Sequence, residues 1–310
     1  MKKLNYDFKV PPQKQVRFIV HTDCKNEADD QFALVHVLMT PKFVVEGIVA
    51  GHFDAYPRNY GKGNTAKASA EEVLKVLKLM DMEEYKVVIG AEEPLTDEKT
   101  PINCEGVKFI IEQAMKEDDR PLFVAFQGAI TDLASAILIE PKICDKMTAI
   151  WIGGGAYPNG GFEFNLMQDI VAANVVMKSQ MPLWQIPINV YKQMAVSLAE
   201  LQARVKPCGD IGNYLFTQMV EFNDRCADIK HWPHGETWGL GDSPVVSVLL
   251  EETEKDDGYE MIKAPIINLS DMTYSYENEN REIRVYKNIN TRMTMEDFYA
   301  KLKINYFGEL

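Results

Sequence analysis

The 310 residues include 46% hydrophobic and 10% aromatic side chains, enough to bury a large core, and we expect one globular domain over residues 1–310. The formal net charge is -13 and Lys and Arg form no cluster, which argues against nucleic acid and anionic membranes as partners. No stretch approaches the ~18 apolar residues of a membrane span, and residues 1–8 lack the apolar core of a signal peptide, so a cytoplasmic protein is expected.

Strand-like and helix-like patterns alternate along the first half of the chain. Short apolar runs predict strands, and longer segments with apolar residues at helical spacing predict helices. In chain order the predicted strands are 18–20, 43–50, 86–89, 122–126 and 147–152, and the helices between them are 28–39, 66–80, 107–115 and 131–139. Later segments predict helices at 196–205, 211–226 and 244–250, a strand at 282–286 and a closing helix that includes 297–302.

This order predicts an α/β fold, namely a doubly wound, mostly parallel central sheet with helices on both faces. In such sheets ligands bind beyond the carboxyl ends of the strands. Asp23, residues 51–52, Gly128 and residues 153–155 each follow a predicted strand. We therefore expect their loops to lie at one rim of the sheet.

Cysteine usage does not indicate a cross-linked or zinc-binding protein. The five cysteines are odd in number, widely spaced and without a CxxC pair, which predicts reduced, mostly buried thiols. They are Cys24, Cys104, Cys144, Cys208 and Cys226.

Three carboxylates gather where the first predicted strand ends and the next helix begins. Asp23 ends the strand, and Asp29 and Asp30 open the helix. Crowded carboxylates raise one another's pKa unless a cation or hydrogen-bond donors offset their charge. Because the ligand atoms are oxygens, the expected cation is hard, Ca²⁺ or Mg²⁺. The helix dipole alone also favours acids in a first turn, but capping a helix needs one carboxylate and not three.

Two later segments carry polar side chains that can bind a sugar or a metal. Glu163 and Asn165 follow a turn rich in Gly and Pro, and a carboxylate with an amide can hold sugar hydroxyls, although surface decoration is the alternative. Asp242 precedes an apolar helix that begins near Pro244, where a role as helix N-cap is the alternative.

At these positions the sequence resembles the inosine-uridine nucleoside hydrolases. The resemblance covers about residues 15–250, and its most specific parts are Glu163-Phe164-Asn165 and the segment 128–134, Gly-Ala-Ile-Thr-Asp-Leu-Ala. The segments 23–30, 153–156 and 241–244 follow the order and approximate spacing of the family. The resemblance implies a doubly wound α/β enzyme, commonly a homo-oligomer, that holds one Ca²⁺ and cleaves the N-glycosidic bond of ribonucleosides.

The resemblance also implies a role for each matching residue. Asp23, Asp30 and Asp242 would supply carboxylates to Ca²⁺, and Thr131 its main-chain carbonyl. Asp23 would also act as general base on the attacking water, and Asp29 would bind the ribose 2′-hydroxyl. The other implied sugar contacts are Glu163, Asn165, Asn159 and His52.

Four positions depart from the family pattern. The turn between Asp23 and the Asp pair has five residues instead of the usual three, and Glu27 within it could replace or supplement a metal ligand. His21 stands where many members have an acid. His52 stands where many have a sugar-binding Asn, and could donate to a hydroxyl or pack at the rim. Gly241 stands where many purine-cleaving members have a His that protonates the departing base.

Without a side chain at Gly241, another acid would protonate the base, or the leaving group would differ. Other candidate acids are His231, His234 and Tyr157, and the nearby Trp232 and Trp238 either stack on a base or pack an oligomer.

The leading hypothesis is a calcium-dependent hydrolase that releases ribose from a ribonucleoside or related ribosyl compound. One alternative is a catalytically impaired ribosyl-binding or regulatory protein. The other is a Mg²⁺-dependent phosphotransfer enzyme, disfavoured because no second Asp stands two residues after Asp23.

Overall fold

A computed structural model describes residues 4–251, 258–277 and 279–308. The strands of this part of the chain are β1 (Val16–Thr22), β2 (Phe43–Ala50), β3 (Val87–Ile89), β4 (Leu122–Phe126), β5 (Met147–Ile152), β6 (Leu183–Ile186), β7 (Ala195–Ser197), β8 (Thr237–Gly239), β9 (Tyr259–Lys263), β10 (Ile266–Ile267), β11 (Tyr274–Ser275) and β12 (Glu282–Tyr286).

The α-helices are α1 (Asp30–Leu38), α2 (Thr65–Leu79), α3 (Glu105–Met115), α4 (Thr131–Ile139), α5 (Phe164–Gln168), α6 (Ile170–Lys178), α7 (Ile188–Tyr191), α8 (Leu198–Arg204), α9 (Gly209–Arg225), α10 (Pro244–Leu250) and α11 (Thr291–Tyr306). Short 3₁₀ helices span Pro12–Lys14 and Pro141–Asp145. Each predicted element is present. The helix predicted at 196–205 begins later, because residues 195–197 pair as β7 and the Ser197 hydroxyl accepts the Glu200 N–H at the helix start.

The central sheet has eight strands in the order β3-β2-β1-β4-β5-β6-β12-β9. All neighbouring pairs are parallel except β12 and β9, which confirms the predicted doubly wound, mostly parallel sheet. The chain winds outward from β1 in one direction through β2 and β3, and in the other from β4 onward. The winding reverses between β1 and β4, where parallel sheets open a crevice at the carboxyl ends of the strands.

Apolar side chains of the strands alternate between two hydrophobic cores, one on each face of the sheet. In β1, Phe18 and Val20 pack into a core with α1, whereas Ile19 packs into a core with α3 and α4. The same alternation separates Ile150 from Trp151 in β5. Burial on both faces explains why these strands are continuous apolar runs, since a parallel sheet has no solvent face.

Two simpler predictions concern the whole chain. The five cysteines are free, and all but the half-buried Cys104 are buried, as the sequence predicts. Across the ranges that the structure describes, none of the helices combines the length and the apolar character needed to cross a membrane.

Candidate active site

A cleft opens at the carboxyl edge of the sheet, beyond the ends of the neighbouring strands β1, β4 and β5. The space in and above it that protein atoms leave free, open solvent included, is about 360 Å³. The residues that line it are Asp23, Asn26, Glu27, Asp29, Asp30, Gln127, Ile152, Glu163, Phe164, Asn165, Tyr191, Gly241 and Asp242. Six of these side chains are carboxylates, and among these lining residues there is no Lys, Arg or His. The cleft is therefore strongly acidic and is walled by oxygen and amide groups.

The deepest acids form a compact oxygen cluster. One carboxylate oxygen from each of Asp29, Asp30 and Asp242 lies within 4.8 Å of the others. Asp23 lies close enough to Asp30 for that charge to raise its pKa, and it extends the cluster toward the end of β1. The Thr22 hydroxyl donates to Asp30 Oδ1 at 2.5 Å, which fixes one oxygen of that carboxylate.

Burial and mutual repulsion raise the pKa values of the carboxylic acids in this cluster. Burial raises the pKa of Asp29 to about 6, and burial with the nearby Asp29 charge raises the pKa of Asp30 to about 7. The pKa values of Asp23 and Asp242 are raised well above their usual range, first by burial and then by neighbouring acids. Buried carboxylates at this density are stabilised by a cation. A donor set made only of oxygens at this spacing fits a hard divalent ion.

The loop before α10 is tied to the start of α1 by Asp29. Its carboxylate accepts backbone N–H groups of Gly241 and Asp242, which joins two segments far apart in sequence. Ser243 occupies the N-cap position of α10 and Pro244 its first turn. The alternative of Asp242 as helix cap is therefore wrong, and its carboxylate lines the cleft instead.

The longer first turn adds two side chains to the cleft wall. Asn26 donates from Nδ2 to Asp23 Oδ2 at 3.1 Å, and Glu27 faces the acidic cluster. Burial and the charge of Asp29 raise the pKa of Glu27 to about 8. Lys25 adopts a left-handed φ of 89° and pairs with Glu72 at 3.2 Å, which turns the chain so that residues 26 and 27 point inward.

Glu163 is fully buried and its carboxylate accepts four hydrogen bonds. Oε2 accepts the N–H groups of Gly154 and Leu166, each at 2.8 Å. Oε1 accepts the Asn165 N–H at 3.1 Å and the Tyr191 hydroxyl at 2.8 Å. The alternative of surface decoration is therefore wrong for Glu163. Its carboxylate caps α5, and only the Tyr191 hydroxyl among its donors belongs to a side chain that a ligand could displace.

Gln127 is a cleft residue that the sequence analysis missed. Its carbonyl oxygen, at the end of β4, accepts Asn165 Nδ2 at 3.1 Å, and the same nitrogen donates to the Ile152 carbonyl at 2.8 Å. Both side-chain polar atoms of Gln127 are buried and have no protein partner within the described residues. A Cβ at the following Gly128 would lie 2.6 Å from Asp23 Cγ, so glycine lets β4 approach the acid closely. In the sequence, the one indication that Gln127 belongs to the site is its position directly after a predicted strand.

Three residues predicted from the resemblance lie outside the lining of the cleft. The Thr131 hydroxyl donates to Asp169 Oδ2 at 2.7 Å and accepts from His52 Nε2 at 2.7 Å. His52 is buried, and its Nδ1 accepts the Asp54 N–H at 3.2 Å, so both ring nitrogens are engaged within the protein. Asn159 is exposed, and its carbonyl accepts the Tyr274 N–H. Packing beneath the rim, rather than sugar contact, is what the structure shows for His52.

Other polar and aromatic candidates are also engaged away from the cleft. His21 is buried and contacts Asp132 at 2.8 Å. The Tyr157 hydroxyl donates to Gln185 Oε1 at 2.6 Å, and His231 and His234 are exposed outside the cleft lining. Trp232 and Trp238 pack against each other with ring centroids 5.1 Å apart, and both contact Phe222.

Tyr191 occupies the space beside Gly241. A Cβ at Gly241 would lie 2.9 Å from Tyr191 Cδ2 and 3.5 Å from Asp29 Oδ2, closer to the ring than ordinary packing allows. The position therefore has no room for a side chain unless the tyrosine moves. Tyr191 follows β6 at the end of α7, so only the fold brings it to this wall.

Comparison with known proteins agrees with this architecture. The purine-preferring ribonucleoside hydrolase from Gardnerella vaginalis superimposes with a TM-score of 0.72 at 19% identity, covering 93% of this chain and 99% of that one. A plant nucleoside hydrolase, PpNRh1, gives a TM-score of 0.72 at 15% identity, covering 94% and 99%. At these identities the likeness shows a shared fold.

Sequence comparison finds relatives that match part of the chain. The pyrimidine-specific ribonucleoside hydrolase RihB of Escherichia coli O1:K1 / APEC is 31% identical over 157 residues, which is 49% of this chain and 47% of RihB, so the match spans about half the length of that relative. RihA of Klebsiella pneumoniae (strain 342) is 24% identical over 250 residues, 72% of this chain and 75% of RihA. The family model described as inosine-uridine preferring nucleoside hydrolase matches residues 18–301. With its sheet, its acidic cleft and this match, the chain belongs to the inosine-uridine preferring nucleoside hydrolase family.

Proposed function

We propose that this protein hydrolyses the N-glycosidic bond of a ribonucleoside or a closely related ribosyl compound, with Ca²⁺ as its cofactor. The observation that carries the proposal is the buried oxygen cluster of Asp29, Asp30 and Asp242, with Asp23 beside it in one cleft at the switch point of the sheet. Sugar hydroxyls are recognised by groups of this kind, because carboxylates accept from hydroxyls and amides can both donate and accept.

The residues that would hold the cation are Asp23, Asp30 and Asp242. The main-chain ligand would be the Gln127 carbonyl and not that of Thr131, because Gln127 lines the cleft and Thr131 does not. Calcium accepts ~6 to 8 oxygen ligands, so the protein atoms leave positions for water and ligand hydroxyls. When bound, a divalent cation supplies charge that lowers the pKa of water and orients a vicinal diol.

The side chains of this cleft have distinct tasks in the proposed reaction. Asp23 takes the proton of the attacking water as the new bond to C1′ forms, and Asn26 orients its carboxylate. Asp29 accepts from the 2′-hydroxyl, and Asn165 contacts the sugar from the opposite wall. Positive charge that develops on the ribosyl ring is stabilised by the surrounding carboxylates.

The lack of an acid for the departing base supports a second candidate function, that of a binding or regulatory protein. The Tyr191 ring fills the space beside Gly241, and the residues that line the cleft include no histidine. A family member in which departure of the base is poorly assisted would bind ribosyl compounds and turn them over slowly. Such a protein would act by binding, as a regulatory member of the family.

The experiment that separates these functions measures free ribose released from a panel of purine and pyrimidine ribonucleosides. We expect release from at least one of them, its loss with a calcium chelator, and its recovery on adding Ca²⁺ but less so on adding Mg²⁺. Equal activity with and without chelator would rule out the cation. Calorimetric binding of nucleosides without any release of ribose would instead support the binding protein.

A further inference from the structure

We propose that Arg58 binds the leaving group and stabilises its negative charge as the glycosidic bond breaks. This inference rests on the proposed function and extends it to the part of the substrate opposite the sugar. Arg58 lies in the loop between β2 and α2, next to the lengthened first turn. Through Asn26 it adjoins a cleft whose lining residues include six acids and no basic side chain.

Contacts with three side chains fix the Arg58 guanidinium in place. Its Nε donates to Asn26 Oδ1 at 3.3 Å, and Asn26 lines the cleft. Its Cζ lies 5.3 Å from the centroid of the Tyr56 ring and 5.1 Å from that of Phe222, so the guanidinium is held by two aromatic rings. Tyr56 in turn meets Phe164, another lining residue, edge to face at 6.4 Å. The group therefore stands at the mouth of the cleft.

The guanidinium retains unused donors in this position. An arginine presents five N–H donors, and the hydrogen bond to Asn26 uses one. Within the described residues the other N–H groups of Arg58 have no hydrogen-bond acceptor. The backbone at Arg58 has a φ of 50°, an uncommon conformation for a residue with a long side chain. The chain thus holds a donor-rich cation, with strain in its backbone, beside an acidic cleft.

The chemistry of the proposed reaction requires a group of this kind. When the C1′–N bond breaks, its electron pair goes to the departing heterocycle, while water forms the new C1′–O bond and gives its proton to Asp23. The cleft lining offers no cationic acid to protonate the heterocycle. A guanidinium can hydrogen-bond the carbonyl oxygens or ring nitrogen that carry the charge, and the departing anion then takes a proton from solvent. The substrate class this favours has a carbonyl-bearing base, such as a pyrimidinedione or an oxopurine.

The test compares Arg58→Gln with the wild-type protein on uridine and on p-nitrophenyl β-ribofuranoside. The p-nitrophenolate leaves readily as an anion, so it needs little help, whereas the uracil anion needs more. We expect Arg58→Gln to lower kcat/KM about 100-fold on uridine and less than about 5-fold on the nitrophenyl riboside. Arg225→Gln is the matched control, because Arg225 stacks on the same Phe222 ring at 5.1 Å and no hydrogen bond links it to Asn26 within the described residues. It should behave as wild type.

Two results would overturn the inference while the proposed function stands. Equal losses on both substrates would mean that Arg58 acts through Asn26 and Asp23 as a positioning residue. Unchanged rates on both would mean that it has no part in the reaction. Failure of the proposed function itself is a different result, because wild-type protein would then release no ribose from any ribonucleoside of the panel in the presence of Ca²⁺, whether or not calorimetry detects binding. If Arg58 binds the base, Arg58→Gln weakens binding of uridine and leaves binding of ribose unchanged.

Discussion

Asp23→Asn is expected to lower kcat/KM for ribose release at least about 1,000-fold while the protein stays folded. A general base contributes roughly 100-fold to 10,000-fold, and this variant also removes one negative charge from the proposed cation site. Asparagine has nearly the same shape, and the neighbouring Asn26 amide can reorient to bond it. Release of ribose is the measurement, with circular dichroism and thermal unfolding as checks on the fold.

A second variant separates the role of base from that of metal ligand. Asp242→Asn removes a charge from the same cluster but leaves Asp23 in place. We expect it to need about 10-fold to 100-fold more Ca²⁺ for half-maximal activity and to recover most of its rate when Ca²⁺ saturates. Asp23→Asn should stay inactive at the same concentration. Recovery of Asp23→Asn by Ca²⁺ alone would show that Asp23 is a ligand and not the base.

The acids of this cleft were predictable because of where parallel strands end. Asp23 follows β1, and Glu163 and Asp242 lie in loops that the fold brings to the same rim. Continuous apolar runs identified the buried strands, and helical spacing identified the helices between them. The sheet with its crevice followed from those two periodicities, since a chain that alternates in this way forms parallel strands with helices on both faces.

The remaining residues depend on packing that no local pattern encodes. Thr131 and Gln127 both follow β4, but Thr131 begins α4 and turns its hydroxyl to Asp169, whereas Gln127 stays at the strand end facing the cleft. His52 forms hydrogen bonds at both ring nitrogens beneath the rim. Tyr191 reaches the space beside Gly241 only through tertiary contact. Whether such a residue faces the cleft or the protein interior depends on which neighbours form hydrogen bonds with its buried polar groups.

Glu163→Gln should have the second large effect, because it alters both the cleft wall and the stability of the fold. The Glu163 carboxylate is 0% exposed and accepts four donors. An amide replaces one accepting oxygen with an NH₂ group, which then faces two donors and leaves them without an acceptor. The expected cost is about 2 to 3 kcal/mol in the free energy of unfolding. The loop that carries Asn165, and the Tyr191 side chain, would shift, and we expect kcat/KM to fall about 100-fold.

Asp169→Asn is the matched control for that variant. Asp169 is 4% exposed and accepts the N–H groups of Leu95 and Ala172 and the hydroxyl of Thr131, so its amide should cost a similar free energy of unfolding. It does not line the cleft, and its activity should stay within about 3-fold of wild type. Unfolding in urea gives the stabilities, and ribose release well below either unfolding midpoint gives the rates. Equal loss of activity in both variants would mean that Glu163 acts only as a helix cap. Loss of activity in Glu163→Gln alone would assign Glu163 to the wall of the cleft that holds the sugar.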